Sequence, residues 1–208
     1  MIVDDTVDGV AAVHDSSMTI GDVIKLDDGT EAIVRSICPS DAEDLLRFHA
    51  LLSTRSVKFR YFYPHMELRP DEVAHLTDVD GVDRVALVVE HAGKLIAVGR
   101  YDRLDDPRTA EVAFVVADAY QHHGLGPRLL ERLANAARSV GITRFVAEVL
   151  AENRAMLSVF RAAGFPIESK TEWGTVELTM TIATACEPAP TAQMGTRQSS
   201  RVPPSWPA

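Results

Sequence analysis

The run Val115-Val116-Ala117-Asp118-Ala119-Tyr120-Gln121-His122-His123-Gly124-Leu125-Gly126 carries an apolar strand into a glycine turn, and the turn into a helix. Leu125, Leu129, Leu130 and Leu133 then recur at helical spacing, with Pro127 tolerated in the first turn. The first N–H groups of such a helix have no intrahelical acceptor and sit at the positive end of its dipole, and bare glycines let a ligand approach the backbone. A pyrophosphate suits that site. A Gly-x-Gly turn alone equally suits a helix start that needs glycine only for its backbone angles. The spacing lacks the Gly-Lys-Ser/Thr ending of a nucleoside triphosphate loop and the third glycine of a dinucleotide fingerprint.

A chain of 208 residues with 46% hydrophobic content builds one good-sized core, so one domain is expected. With 21 basic against 30 acidic residues the net charge is -9, which disfavours a nucleic-acid partner and suits an amine-bearing substrate. Cys38 and Cys186 have no metal-ligand spacing and are too few for a disulfide framework, so a cytoplasmic, reducing setting and no metal are expected. The acidic start and the lack of an apolar run near 20 residues predict neither a signal peptide nor a membrane span.

Residues 1–28 read as an acidic tail, 29–183 as the folded domain, and 184–208, rich in Pro, Ser, Thr and Ala, as a disordered tail. Within the domain a strand is expected over Ala32–Ile37. A helix follows Pro39-Ser40-Asp41, with Leu45, Leu46, Phe48, Leu51 and Leu52 as its stripe. Short helices follow at Ser53-Thr54, carrying Arg55, Phe59, Arg60 and Tyr61, and at Arg69-Pro70; the first two helices suit a lid. A hairpin over 85–101 and a strand over 109–116 lead to the glycine turn. The helix beyond it stops at Gly141, a strand covers 144–150, Asn153 caps a helix that Gly164 stops, and two strands flank Trp173-Gly174. This order predicts an α/β (α+β) fold: a mixed, mostly antiparallel sheet with a parallel strand-helix-strand crossover around the phosphate helix.

Gln121-His122-His123-Gly124-Leu125-Gly126, followed by Asn153-Arg154-Ala155-Met156 and Phe160-Arg161-Ala162-Ala163-Gly164-Phe165, resembles the signatures of the GNAT superfamily of N-acetyltransferases over residues 31–182. The front half, Leu52-Ser53-x-Arg55-Ser56-x-x-x-Arg60-Tyr61-Phe62 with Leu76-Thr77-x-Val79-Asp80 and Arg84–Val88, is similar to the bacterial protein lysine acetyltransferases that modify AMP-forming acyl-CoA synthetases. The resemblance implies the GNAT fold, acetyl-CoA as cosubstrate and a protein lysine as acceptor. An acyl-CoA synthetase is a candidate partner. Both flanking segments are too short and polar for the regulatory parts many relatives carry, so a stand-alone catalytic domain is expected.

A lysine, with an ordinary pKa of about 10.4, must lose a proton before it attacks a thioester. The resemblance points to Glu111 as the general base; strand alternation places it with Ala113 and Val115 on one face, opposite Val112, Phe114 and Val116. Pairing of Glu111 with Arg103 or Arg108 is the alternative. Val115 and Val116 are assigned to the pantetheine arm through their backbone, and Gln121, His122, His123, Gly124, Leu125, Gly126, Pro127 and Arg128 to the pyrophosphate. Asn153 and Phe160 complete the cofactor side. Phe160 stands where many members carry a tyrosine that protonates the departing thiolate. Asp80, Asp83 and Glu148 are acids able to attract a lysine, while Arg55, Arg60, Phe59 and Tyr61 suit either a docking surface or plain packing. A small-amine acetyltransferase and a non-catalytic acyl-CoA sensor are the competing readings.

Overall fold

The computed structural model describes residues 21–62 and 67–183. Most of the expected N-terminal tail, all of the expected C-terminal tail and Cys186 lie outside the described residues. Eight strands form one sheet in the order β1-β2-β3-β4-β5-β6-β8-β7: β1 (Asp22–Lys25), β2 (Glu31–Ser36), β3 (Arg84–His91), β4 (Lys94–Arg103), β5 (Thr109–Val116), β6 (Arg144–Leu150), β7 (Ile167–Glu172) and β8 (Thr175–Thr181). Every neighbouring pair is antiparallel except β5 and β6, which are joined by α4 (Leu125–Ser139) as the expected parallel crossover. The others are α1 (Ala42–Ala50), α2 (Thr54–Tyr61), α3 (Pro70–Thr77) and α5 (Arg154–Ala162).

The central strands β3 and β4 are buried on both sides, because their residues alternate between two apolar clusters. Val112 and Phe114 of β5 join Leu125, Leu129 and Leu133 of α4 and Phe160 of α5 on one face. Ala86 and Val88 of β3 meet Leu45 and Phe48 of α1 and Val73 of α3 on the other, with Val98 and Val115 packed against them. The stripe expected for α1 is narrower than read: Leu45 and Phe48 are buried, whereas Leu46 and Leu51 are exposed. Their i, i+3 spacing is what one face of a short helix can hide.

The structured part starts ahead of residue 29, where the sequence places the domain boundary. Asp22–Lys25 pairs with Ala32–Val34 and Glu31 as an edge strand. Four residues with charged ends carry too little alternation to stand out, and their neighbour in the sheet supplies the order. β1 and the turn after it then reach α4 and the segment before it: Arg132 Nη1 meets Asp22 Oδ2 at 2.6 Å, Arg128 Nη2 meets Asp27 Oδ1 at 3.1 Å, and His123 Nδ1 meets Asp28 Oδ2 at 3.0 Å. No helix among the described residues is long and apolar enough to cross a membrane.

Candidate functional site

β5 and β6 share only three residue pairs, Thr109 with Arg144, Ala110 with Phe145 and Glu111 with Val146. Beyond Glu111 the two strands part while β5 continues to Val116. A cleft of about 750 Å³ is bounded by the end of β5, the glycine turn, α2 and the start of α5. That volume lies in the range of small-molecule sites. Glu111, the expected base, is therefore the last β5 residue paired with β6.

The cleft brings together most residues assigned to the cofactor: Val115, Val116, Gln121, His122, Gly124, Leu125, Gly126, Pro127 and Asn153 all line it. Gly124 takes the left-handed conformation at φ 78 as the N-cap of α4, which ends the turn and aims the first N–H groups of the helix outward. His122 adopts φ 66 and lines the cleft, while its neighbour His123 turns away to Asp28. Asn153 Oδ1 accepts the Met156 N–H at 3.2 Å, so this residue caps α5 and also borders the cleft.

Two of the assigned side chains have protein partners of their own. Arg128 is expected to add its charge to a phosphate, yet its guanidinium donates to the Lys25 carbonyl and to Asp27. Phe160 is 1% exposed and stacks on Phe114 at 5.4 Å between centroids, so its ring belongs to the core beneath the cleft. Both glycines line the cleft and also have protein atoms close by. A β-carbon on Gly126 would lie 2.9 Å from Val159 Cγ2, and one on Gly124 would lie 2.8 Å from Asp27 Oδ1. Val159 therefore demands the bare Gly126, while the left-handed backbone demands Gly124.

Around Glu111 the sheet presents a row of charge. Asp102 stands opposite it on β4, where two carboxylates would repel, and Arg100 holds Asp102 with Nε and Nη2 both at 3.0 Å. Arg60 reaches this row from α2. Burial draws the Arg60 guanidinium below its ordinary pKa; Tyr61 opposes that, Arg100 adds to it, and the carboxylates of Glu111 and Asp102 oppose it again. Arg60 lines both the cleft and a smaller apolar pocket shared with Val98, Arg100, Ala113 and Val115, whereas Glu111 itself lines neither. The alternative partner Arg103 bonds instead with Asp83 at 2.7 Å and with the Pro107 and Val140 carbonyls. Asp80 is absorbed by a turn, where Oδ1 accepts the N–H groups of Val82, Asp83 and Arg84.

α2 forms a wall of the cleft. Arg55, Ser56, Phe59 and Arg60 face the cleft, with the Arg55 guanidinium 5.0 Å from the Phe59 centroid. Lys58 Nζ reaches Glu152 Oε1 on the opposite wall at 2.6 Å. Sequence reasoning missed the group that seats this helix. Asp118 accepts the Ser53 N–H at 2.9 Å, the Ser53 hydroxyl at 2.7 Å and the Ser56 hydroxyl at 2.9 Å. The serine start of α2 was a visible capping signal, but its distant carboxylate partner had no local mark. Among the described residues no group of three or more His, Cys, Asp or Glu could hold a metal ion.

Comparison with known proteins agrees with this geometry. Residues 48–165 match the acetyltransferase (GNAT) family. The chain is 33% identical over 147 residues to an acetyltransferase of Pseudomonas aeruginosa, covering 69% of this chain and 79% of that one. It is also 33% identical over 134 residues to the acetyltransferase Pat of Mycolicibacterium smegmatis, covering 63% of this chain and 40% of the relative. The crystal structure of the GNAT domain of S. lividans PAT superposes with a TM-score of 0.73 at 40% identity, over 77% of this chain and 96% of that domain.

Proposed function

The chain belongs to the acetyltransferase (GNAT) family, and from that premise we propose that it moves the acetyl group of acetyl-CoA to a lysine side-chain amine on a protein. The observation that carries this reading is Glu111 at the point where β5 and β6 part, with the phosphate-suited turn at the other end of the same strand. The front-half resemblance to protein lysine acetyltransferases, and the likeness to relatives named Pat, support a protein acceptor.

The cleft volume and the outward N–H groups at the start of α4 fit acetyl-CoA. When bound, acetyl-CoA supplies a thioester carbonyl that an amine attacks, with a thiolate as the leaving group. The turn from Gln121 to Gly126 orients the pyrophosphate by its backbone, and His122 adds a side chain on the same wall. Val115 and Val116 present backbone groups to the pantetheine arm. Glu111 takes the proton of the lysine ammonium, directly or through one water, which frees the lone pair for attack. Phe160 has no proton to give, and the Tyr101 hydroxyl is held by the Val82 carbonyl at 2.9 Å. The thiolate can depart unassisted or take a proton from water, as a thiol of pKa near 8.5 allows, and Tyr120 is the tyrosine that lines the cleft.

The deciding experiment incubates the protein with acetyl-CoA and an AMP-forming acyl-CoA synthetase in the reducing conditions of a cytoplasm, followed by peptide mapping. One acetylated lysine on the synthetase is expected. Acetylation of polyamines or aminoglycosides with no modified protein would assign a small-amine transferase. Acetyl-CoA binding with no thiol release across both sets would assign a sensor.

A further inference from the structure

Asp118 and Gln121 lie on the segment between β5 and α4, yet their side chains point to α2. Asp118 receives three donors from the first turn of that helix, as described. Gln121 Nε2 donates both to the Ser56 hydroxyl, at 3.1 Å, and to the Val116 carbonyl, at 3.1 Å. Ser56 is buried, and its hydroxyl is the shared node of the two contacts. A negative charge facing the N-terminus of α2 is favoured by the helix dipole, and charge-assisted bonds to it are the stronger kind. Burial pushes the Asp118 carboxyl up, and the Ser53 and Ser56 donors outweigh that and hold it below the ordinary aspartate value.

This arrangement links three walls of one cleft: the end of β5 at Val116, the turn at Gln121, and α2 with Arg55, Phe59 and Arg60. We propose that Asp118 is a positioning residue that makes α2 respond to occupancy of the glycine turn, so that a bound acyl-CoA fixes Arg60 beside Glu111. The inference rests on the reading of the cleft as the acetyl-CoA site. Asp118 touches no reacting atom. It acts through Ser53 and Ser56, and Gln121 passes the state of the turn to the same hydroxyl.

Hydrogen exchange by mass spectrometry on the full chain, with and without acetyl-CoA, tests this without needing an acceptor. In the unchanged protein acetyl-CoA should slow exchange in residues 121–126 and, by about tenfold, in 54–61. In Asp118→Ala the turn should keep its protection while the ligand-dependent slowing of 54–61 falls below about twofold. Ser56→Ala, which leaves the Ser53 contacts to Asp118 in place, should show the same loss in part and guards against a misfolded first variant. A purely structural role would speed exchange of α2 in both states and leave its ligand-dependent slowing intact. That result, or an α2 that ignores acetyl-CoA in the unchanged protein, overturns the proposal. Failure of acetyl-CoA to protect 121–126 in the unchanged protein instead overturns the assignment of the cleft.

Discussion

Asp27 Oδ1 stands 3.1 Å from Arg128 Nη2 and would lie 2.8 Å from a β-carbon on Gly124, so a carboxylate already sits beside the glycine turn. An arriving pyrophosphate meets that charge and competes with it for Arg128. Asp27→Asn should therefore tighten acetyl-CoA binding by about 1 kcal/mol, roughly a fivefold fall in Kd. Titration calorimetry at low and high salt checks this, because the advantage of the variant should shrink as salt screens an exposed charge. Weaker binding in the variant would show that the hairpin supports the cofactor site.

Glu111→Gln preserves size and removes the proton acceptor. Turnover should fall by about 100- to 10,000-fold while the Kd for acetyl-CoA stays within threefold. Thiol release and calorimetry measure the two quantities separately. Undiminished turnover at neutral pH would remove Glu111 as the base.

Gly126 sits against Val159 where α4 and α5 meet, and a methyl group there has no room. In an open helix Gly→Ala stabilises by about 1 kcal/mol. Here Gly126→Ala should instead destabilise by about 1–3 kcal/mol, through overpacking. Urea unfolding of the single variants and of Gly126→Ala with Val159→Ala closes the cycle. The second change should recover the loss caused by the first.

Arg35 donates to both carboxylate oxygens of Asp41, at 2.7 and 2.8 Å, and this pairing holds the buried Asp41 carboxyl below the ordinary aspartate range. A lowered folded pKa stabilises above the unfolded value and loses that contribution as pH falls through the folded one. Asp41→Asn should cost about 1.5–3 kcal/mol at pH 7, the worth of a hydrogen bond to a charged group. The gap to the unchanged protein should begin to narrow below the ordinary aspartate pKa and close only once pH passes the lowered folded value. Urea unfolding at pH 7 and pH 3 measures it, and a gap that does not change with pH would assign the cost to packing alone.

What the sequence made legible was local. The strand into Gly124, the Asn153 cap and the hairpin turn at Trp173-Gly174 announce themselves within a few residues, since backbone angles and orphan N–H groups restrict which side chains serve there. The site was legible along β5 and the turn, because one continuous segment carries Glu111, Val115, Val116 and Gln121. Contacts that depend on how distant pieces meet were not. Asp118 finds Ser53 across 65 positions, and Arg128 finds Asp27 across 101. Either serine reads alone as an ordinary helix start, and Asp27 reads as one acid in an acidic stretch. Phe160 shows the converse: its place in a motif suggests the cleft, while its ring packs on Phe114, which itself lines the cleft.

The brevity of the β5–β6 ladder has a mechanical side. Three residue pairs are all that stitch these strands together, so beyond Glu111 the sheet has a gap in an otherwise continuous fabric. Each further rung would close part of the gap, and each rung removed would let the halves of the sheet swing apart. The ladder ends at Glu111, so the stretch of β5 beyond it, from Phe114 to Val116, is left to serve as a wall of the cleft.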